Sequence, residues 1–133
     1  MKVVPNLFRI TSIVIFIQLL LGGLLTFNFI DPAVHIITGI IVIALAIATM
    51  IVTFRAKDAF RTLRGISIGM VILILIQIIL GLETLSTNNS ILAWVHFAVA
   101  MGIYAMSVTG SVMSSMWERM NGSRAEVERQ TTT

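Results

Sequence analysis

The 133-residue chain has no cysteine, and charged residues make up only 11% of it. Without cysteine there can be no disulfide bond, no thiolate metal ligand and no cofactor attached through a Cys-x-x-Cys-His motif. Because 57% of the residues are hydrophobic, a water-soluble domain of this length could not bury them all. The shortage of charge therefore indicates one domain within a lipid bilayer.

Four long stretches carry no charged residue, between Arg9 and Asp31 and over 32–54, 65–82 and 91–117. Each is near or above the ~18–20 apolar residues with which a helix crosses the hydrocarbon layer. They predict an all-α, polytopic membrane four-helix bundle. Its expected helices are 7–28, 32–54, 62–85 and 90–117, within one domain over 1–120.

The two ends of the chain differ from each other in character. No small-residue cleavage site precedes Asp31, so we expect a retained first helix and not a signal peptide. The polar segment 121–133 has no apolar face and is predicted to be a cytoplasmic tail of frayed helix or disordered chain.

The nine basic residues are unevenly distributed. They precede the first helix, separate the second from the third, and follow the fourth: Lys2, Arg9, Arg55, Lys57, Arg61, Arg64, Arg119, Arg124 and Arg129. The links 28–33 and 83–91 have no Lys or Arg. The positive-inside rule then predicts cytoplasmic termini in a multi-pass plasma membrane protein. Because topology explains the basic residues, we expect no nucleic-acid binding.

The two halves of the chain resemble each other. QLLLG at 18–22 recurs as QIILG at 77–81, and His35 of the second helix recurs as His96 of the fourth. The glutamine motifs lie 59 residues apart and the histidines 61 residues apart. We attribute the two extra residues to a slightly longer second outer link. The repeat predicts two parallel helical hairpins related by an approximate two-fold axis, with the histidines at similar depth.

Residues at steps of four and three follow each histidine along one helix face. They are Gly39, Val42, Ala46, Thr49 and Thr53 after His35, and Ala100, Ile103, Ser107, Gly110 and Ser114 after His96. This spacing keeps one face toward a partner helix, and small residues mark the packed interior of membrane bundles. We therefore expect both histidines to point toward the bundle axis.

An inward histidine pair has three interpretations. Its imidazoles can be the two axial ligands of one haem iron, with Gly39 and Ala100 leaving room for the flat macrocycle. They can instead form structural hydrogen bonds to a neighbouring helix. They can also bind zinc, although only Asp31 or Glu83 could add ligands. Because ionisable residues inside membranes are costly and usually functional, the pattern favours one b-type haem per chain near the outer face.

Three further polar residues lie near this pair. The amides of Gln18 and Gln77 cost free energy in a membrane unless they are hydrogen-bonded. They either border the haem or a quinone, or bond to each other or to a backbone carbonyl across the bundle. Asp31 precedes Pro32 and is typical of a helix N-cap, with a proton-transferring catalytic role as the weaker alternative.

Two segments resemble the haem A synthase (CtaA-like, cytochrome oxidase assembly) family. They are QLLLGGLLT at 18–26 with His35, and QIILGLET at 77–84 with Trp94-Val95-His96. The resemblance covers residues of about 10–115, one four-helix half of the longer members. It implies that both histidines are haem ligands.

The chain also departs from the family pattern. The glutamate three residues before the second-helix histidine is Pro32 here, the following arginine is Ile36, and the outer-loop cysteine pair is absent. The family's glutamate and cysteines are tied to its oxidative chemistry. The resemblance therefore implies haem binding and leaves the enzyme reaction undecided.

Three functions follow from these patterns. The resemblance implies a haem-binding protein of haem A synthesis or oxidase assembly. The alternatives are a small b-type cytochrome that transfers electrons from a quinol, and an accessory subunit of a terminal oxidase or other respiratory complex. Small-residue faces also serve self-association, so a homo-oligomer is a further candidate assembly.

Overall fold

The chain forms four antiparallel helices. The computed structural model describes residues 3–56 and 61–131. The helices are α1 (Val3–Thr26), α2 (Pro32–Arg55), α3 (Arg61–Thr87) and α4 (Ser90–Thr131). All four are long and apolar enough to cross a membrane. Each of α1 and α3 packs against both α2 and α4, so α2 and α4 lie on one diagonal. The predicted all-α membrane four-helix bundle is confirmed.

Asparagines in the left-handed conformation end α1 and α3. Asn28 (φ 60°) and Asn88 (φ 52°) have positive φ, which asparagine tolerates better than most residues. After α1, the Phe29 N–H donates to the Leu24 carbonyl at 2.9 Å, as in a Schellman cap. After α3, the Asn88 N–H donates to the Thr84 carbonyl at 3.0 Å. These caps end both helices within two residues of the predicted positions.

The second outer link is the shorter one, and the prediction that it is longer was wrong. Five residues, 27–31, join α1 to α2, whereas residues 88–89 alone join α3 to α4. Asn88 reverses the chain within this short link, and the extra positions of the second half belong to helix. His96 accordingly lies six residues after the start of α4, but His35 only three after the start of α2.

The helices after these links begin with side-chain caps. The Asp31 carboxylate accepts a hydrogen bond from the Ala33 N–H at 2.7 Å, with Pro32 in the first turn. Asn89 accepts from the Ile91 N–H at 2.9 Å. The N-cap interpretation of Asp31 is confirmed, while its catalytic role stays a prediction.

The polar C-terminal segment is helical in its described part. α4 continues without a break through Thr131, so the disordered alternative was wrong for 121–131. Its Glu, Arg, Ala and Gln residues have high helix propensity, which favours the continuation. Residues 132–133, together with Lys2 and Lys57 of the topology prediction, lie outside the described residues.

The core consists of residues that recur at steps of three and four on all four helices. The buried positions in this register are Val4, Phe8, Thr11 and Ile15 on α1, Val42, Ala46, Thr49 and Thr53 on α2, Leu63, Ser67, Met70 and Ile74 on α3, and Ile103, Ser107, Gly110 and Ser114 on α4. Pro5 and Ser12 of α1 are buried as well. The predicted faces of the second and fourth helices are therefore confirmed. Contacts link the helices in this register: the Thr11 and Thr49 hydroxyls are 3.0 Å apart, and the Phe8 ring occupies the space beside Gly110.

Candidate functional site

The two histidines meet across the bundle axis. His35 of α2 and His96 of α4 have ring centroids 6.4 Å apart, with an interplanar angle of 62°. Both side chains are partly buried. Because their helices are diagonal neighbours, the rings approach from opposite sides of the bundle interior. The prediction that both histidines point inward is confirmed.

Each imidazole lies against a glycine of an adjacent helix. A Cβ atom at Gly22 would be 3.2 Å from His35 Cε1, and one at Gly81 would be 2.9 Å from His96 Cε1. A Cβ at Gly23 would have no neighbour within 4 Å. The three glycines therefore differ in their packing. Only Gly22 and Gly81 pack in this way, and the rings of the histidines are what they contact.

The glutamines bind the backbone of the histidines. Gln18 Nε2 donates to the His35 carbonyl at 2.8 Å, and Gln77 Nε2 donates to the His96 carbonyl at 2.7 Å. Gln18 Nε2 also lies 3.3 Å from His35 Nε2. Of the interpretations left open by the sequence, the bond to a backbone carbonyl across the bundle is the one observed. It ties α1 to α2 and α3 to α4 at the level of the histidines.

The predicted small residues beside the histidines differ in their surroundings. Gly39, one turn after His35, leaves space that the Gln18 amide occupies, since a Cβ there would be 3.2 Å from Gln18 Nε2. Ala100, one turn after His96, is partly buried. Gly39 therefore makes room for the glutamine, a role that the sequence pattern alone did not indicate.

A hydroxyl contact also distinguishes the two halves of the site. The Thr38 hydroxyl donates to Gln18 Oε1. The corresponding position after His96 is Val99, which has no hydroxyl, and Gln77 Oε1 is buried without a hydrogen-bond partner among the described residues. Thr38 was not predicted as a site residue. The signal was present in the repeat, as the one polar-to-apolar exchange three residues after each histidine.

An apolar layer closes the site toward the end of the bundle where the basic residues lie. It contains one residue from each helix: Ile15, Val42, Ile74 and Ile103, each at most 6% exposed. From this layer to the outer links, no described residue is fully buried. The bundle is thus tightly packed below the layer and more open around the histidines.

The site offers two metal-binding nitrogen donors and little else. No group of three or more His, Cys, Asp or Glu that could hold a metal ion exists within residues 3–56 and 61–131. Asp31 is exposed and caps α2, and Glu83 is exposed. A four-coordinate protein zinc site therefore lacks ligands here. The His35 and His96 Nδ1 atoms are buried without hydrogen-bond partners in the described structure.

Comparisons with family models, curated proteins and solved structures found no match to the chain. The resemblance to haem A synthase rests on short motifs alone, and the histidine pair is the structural feature that bears most directly on function.

Proposed function

We propose that this protein is a membrane cytochrome that binds one b-type haem between His35 and His96. The observation that carries the proposal is the 6.4 Å separation of the ring centroids. A metal–imidazole bond is about 2 Å long and each ring centre lies roughly 1 Å beyond its nitrogen, so two axial imidazoles on one metal ion place their centres roughly 6 Å apart.

The surroundings of the rings also support this ligand. Haem requires only two protein donors because the macrocycle supplies the other four, which suits a site with only two histidines. The Nδ1 atoms of both imidazoles have no hydrogen-bond partner in the described protein, and the only side-chain contact of a ring nitrogen there is the 3.3 Å approach of Gln18 Nε2 to His35 Nε2, which supports a further ligand at the rings. The absence of fully buried residues around the rings favours space for a flat group.

The protein's own residues would determine how such a group behaves. A bound haem would supply a one-electron redox couple. If His35 and His96 both bind the iron, they would leave no open position for oxygen, which favours electron transfer over oxygenation. Gln18 and Gln77 hold the histidine backbones, and the glycines limit ring movement. The apolar layer of Ile15, Val42, Ile74 and Ile103 excludes water from one side. A quinol is the proposed electron donor, and a terminal oxidase or related respiratory complex the proposed partner.

A second candidate is a role in haem A synthesis or oxidase assembly, favoured by the resemblance of the Gln18 and Gln77 segments. Asp31 is the acidic residue nearest in sequence to Pro32, which stands at the family's glutamate position. Its carboxylate is exposed and engaged by the Ala33 N–H, which does not support a role in proton transfer at the histidines. We therefore rank this function after electron transfer.

We also infer the orientation of the bundle. Arg9, Arg55, Arg61, Arg64 and Arg119 belong to the helix ends opposite the histidines. By the positive-inside rule this end faces the cytoplasm of the plasma membrane. The histidine pair then lies near the outer face, where it can receive electrons from a quinol within the bilayer.

The decisive experiment is a reduced-minus-oxidised spectrum of the purified full-length protein, with pyridine haemochrome extraction. We expect Soret and α bands and one haem b per chain. His35→Ala and His96→Ala should each remove the pigment, whereas Ile36→Ala, which alters an exposed side chain beside His35, should retain it. Circular dichroism would confirm that the variants remain helical.

The same measurement separates the candidates. A colourless, fully helical wild-type protein that takes up no added haem would refute both functions. Extraction of haem A or its hydroxylated precursor would favour the second candidate over the first. Stable co-purification with an oxidase would support an accessory role within a respiratory complex.

A further inference from the structure

A cavity lies at the opposite end of the bundle from the histidines, between α1 and α4. It has a volume of about 160 Å³ and is lined by Pro5, Arg9, Ser115, Glu118 and Arg119. Its two arginines come from different helices. It is separated from the histidine site by the whole packed core, so its ligand is independent of the proposed haem.

The charged side chains that line this cavity form few hydrogen bonds and no ion pairs with one another among the described residues. Arg9 Nη2 donates to the Ser115 hydroxyl at 3.1 Å, which uses one of the five guanidinium N–H donors. Glu118 forms no ion pair or hydrogen bond with either arginine among the described residues. The first turn of α1, which contributes Pro5, has no acidic residue of its own, so Glu118 is the one carboxylate among the described residues lining the cavity that can offset the positive end of its helix dipole.

We propose that the cavity binds the phosphate group of a phospholipid. Guanidinium groups bind phosphate through paired, charge-assisted hydrogen bonds. Two guanidiniums, one carboxylate and a helix N-terminus leave a net positive potential. Basic cavities between membrane helices are suited to lipid headgroups when they lie at the membrane boundary.

The apolar surface next to the cavity favours a lipid over a free phosphate ion. Ile13 and Phe16 follow Arg9 by four and seven residues on α1 and are 60% and 47% exposed. Val112 and Val108 precede Ser115 by three and seven residues on α4 and are 54% and 38% exposed. These spacings place the four side chains on the faces that line the cavity, where acyl chains can run toward the bilayer centre.

Native mass spectrometry of the full-length protein tests the proposal. The protein would be equilibrated with dioleoylphosphatidylglycerol or with dioleoylglycerol, which has the same acyl chains and no phosphate. We expect preferential retention of the phosphate lipid. Arg9→Gln and Arg119→Gln should each weaken it by about tenfold or more, since a charge-assisted hydrogen bond contributes at least that factor. Glu118→Gln should strengthen retention.

Arg55→Gln and Arg61→Gln are the matched controls, because they remove the same charge at the same end of the bundle but outside the cavity. They should change retention by less than about twofold, the scale of a screened surface charge. If these controls lost as much lipid retention as the cavity variants, the lipid would be held by general attraction to the charged surface and not by the cavity. Equal retention of dioleoylglycerol would overturn a phosphate site.

A third arm distinguishes a lipid from an ion. If inorganic phosphate displaces the lipid at equal concentration, the cavity is an ion site and the lipid proposal fails. Arg9→Lys keeps the charge without the planar fork and should bind with intermediate strength, provided circular dichroism shows an intact bundle. Haem content should be unchanged in every variant, so failure of this proposal leaves the histidine site untouched.

Discussion

The glycine beside His96 offers a sharp test of the histidine site. A Cβ atom at Gly81 would lie 2.9 Å from His96 Cε1. Carbon atoms in favourable contact are about 3.5 Å or more apart, so Gly81→Ala requires the ring or the helix to move by roughly 0.6 Å. The Gln77 amide, one turn away on the same helix, holds the His96 backbone at 2.7 Å and opposes a shift of the whole residue.

We expect this displacement to weaken haem binding by about 10–100-fold, the range found when the positioning of a metal-binding histidine is disturbed. Gly22→Ala should have a smaller effect of the same kind, because its Cβ would be 3.2 Å from His35 Cε1. Gly23→Ala is the matched control on the same helix, with no neighbour within 4 Å. It should bind haem normally and gain up to ~1 kcal/mol of helix stability.

The assay is titration of the purified apoprotein with haem, followed by the Soret band, with thermal unfolding measured in parallel. Haem affinity that is highest in Gly23→Ala, lower in Gly22→Ala and lowest in Gly81→Ala would support a positioning role of Gly22 and Gly81. An unchanged affinity in Gly81→Ala, or an equal loss in Gly23→Ala, would refute the argument that these glycines position the histidines.

Three further predictions concern stability. Val99→Thr should place a donor near the unpartnered Gln77 Oε1 and raise the free energy of unfolding by about 1 kcal/mol; an unchanged melting temperature would contradict this. Asp31→Ala should lower it by about 1 kcal/mol through loss of the N-cap without altering the haem spectrum, and a spectral change would instead indicate a role at the site. Gly110→Ala should cost about 1–3 kcal/mol because its Cβ would meet the Phe8 ring, whereas Gly102→Ala, with open space around it, should not destabilise, as denaturant or thermal unfolding would show.

The spans and the inward faces could be predicted because both are local properties of the chain. Charge-free length identifies a membrane helix, and the steps of four and three after His35 and His96 identify the face that packs. The cap at Asp31 was equally accessible, since the carboxylate and the following proline act within one turn.

The helix ends were less predictable. Asn28 and Asn88 end α1 and α3 by adopting positive φ. Other polar residues lie near these helix ends, and the sequence does not indicate which residue adopts this conformation. The length of the second link therefore could not be read from the offset between the repeats. The end of the fourth helix was expected at 117, where the charge-free stretch ends, but α4 continues to Thr131, because a helix does not need an apolar face to continue into water.

By itself, the sequence determined that this is a four-span membrane protein with two inward histidines in repeated hairpins, because hydropathy and helical period depend on near neighbours in the chain. Only the tertiary structure decided that Gly22 and Gly81 contact the imidazoles, that Gln18 and Gln77 bind the histidine backbones, and that the rings lie 6.4 Å apart. These contacts depend on the relative height of neighbouring helices, and a slip of one turn, about 5.4 Å, would remove all of them without changing any helix.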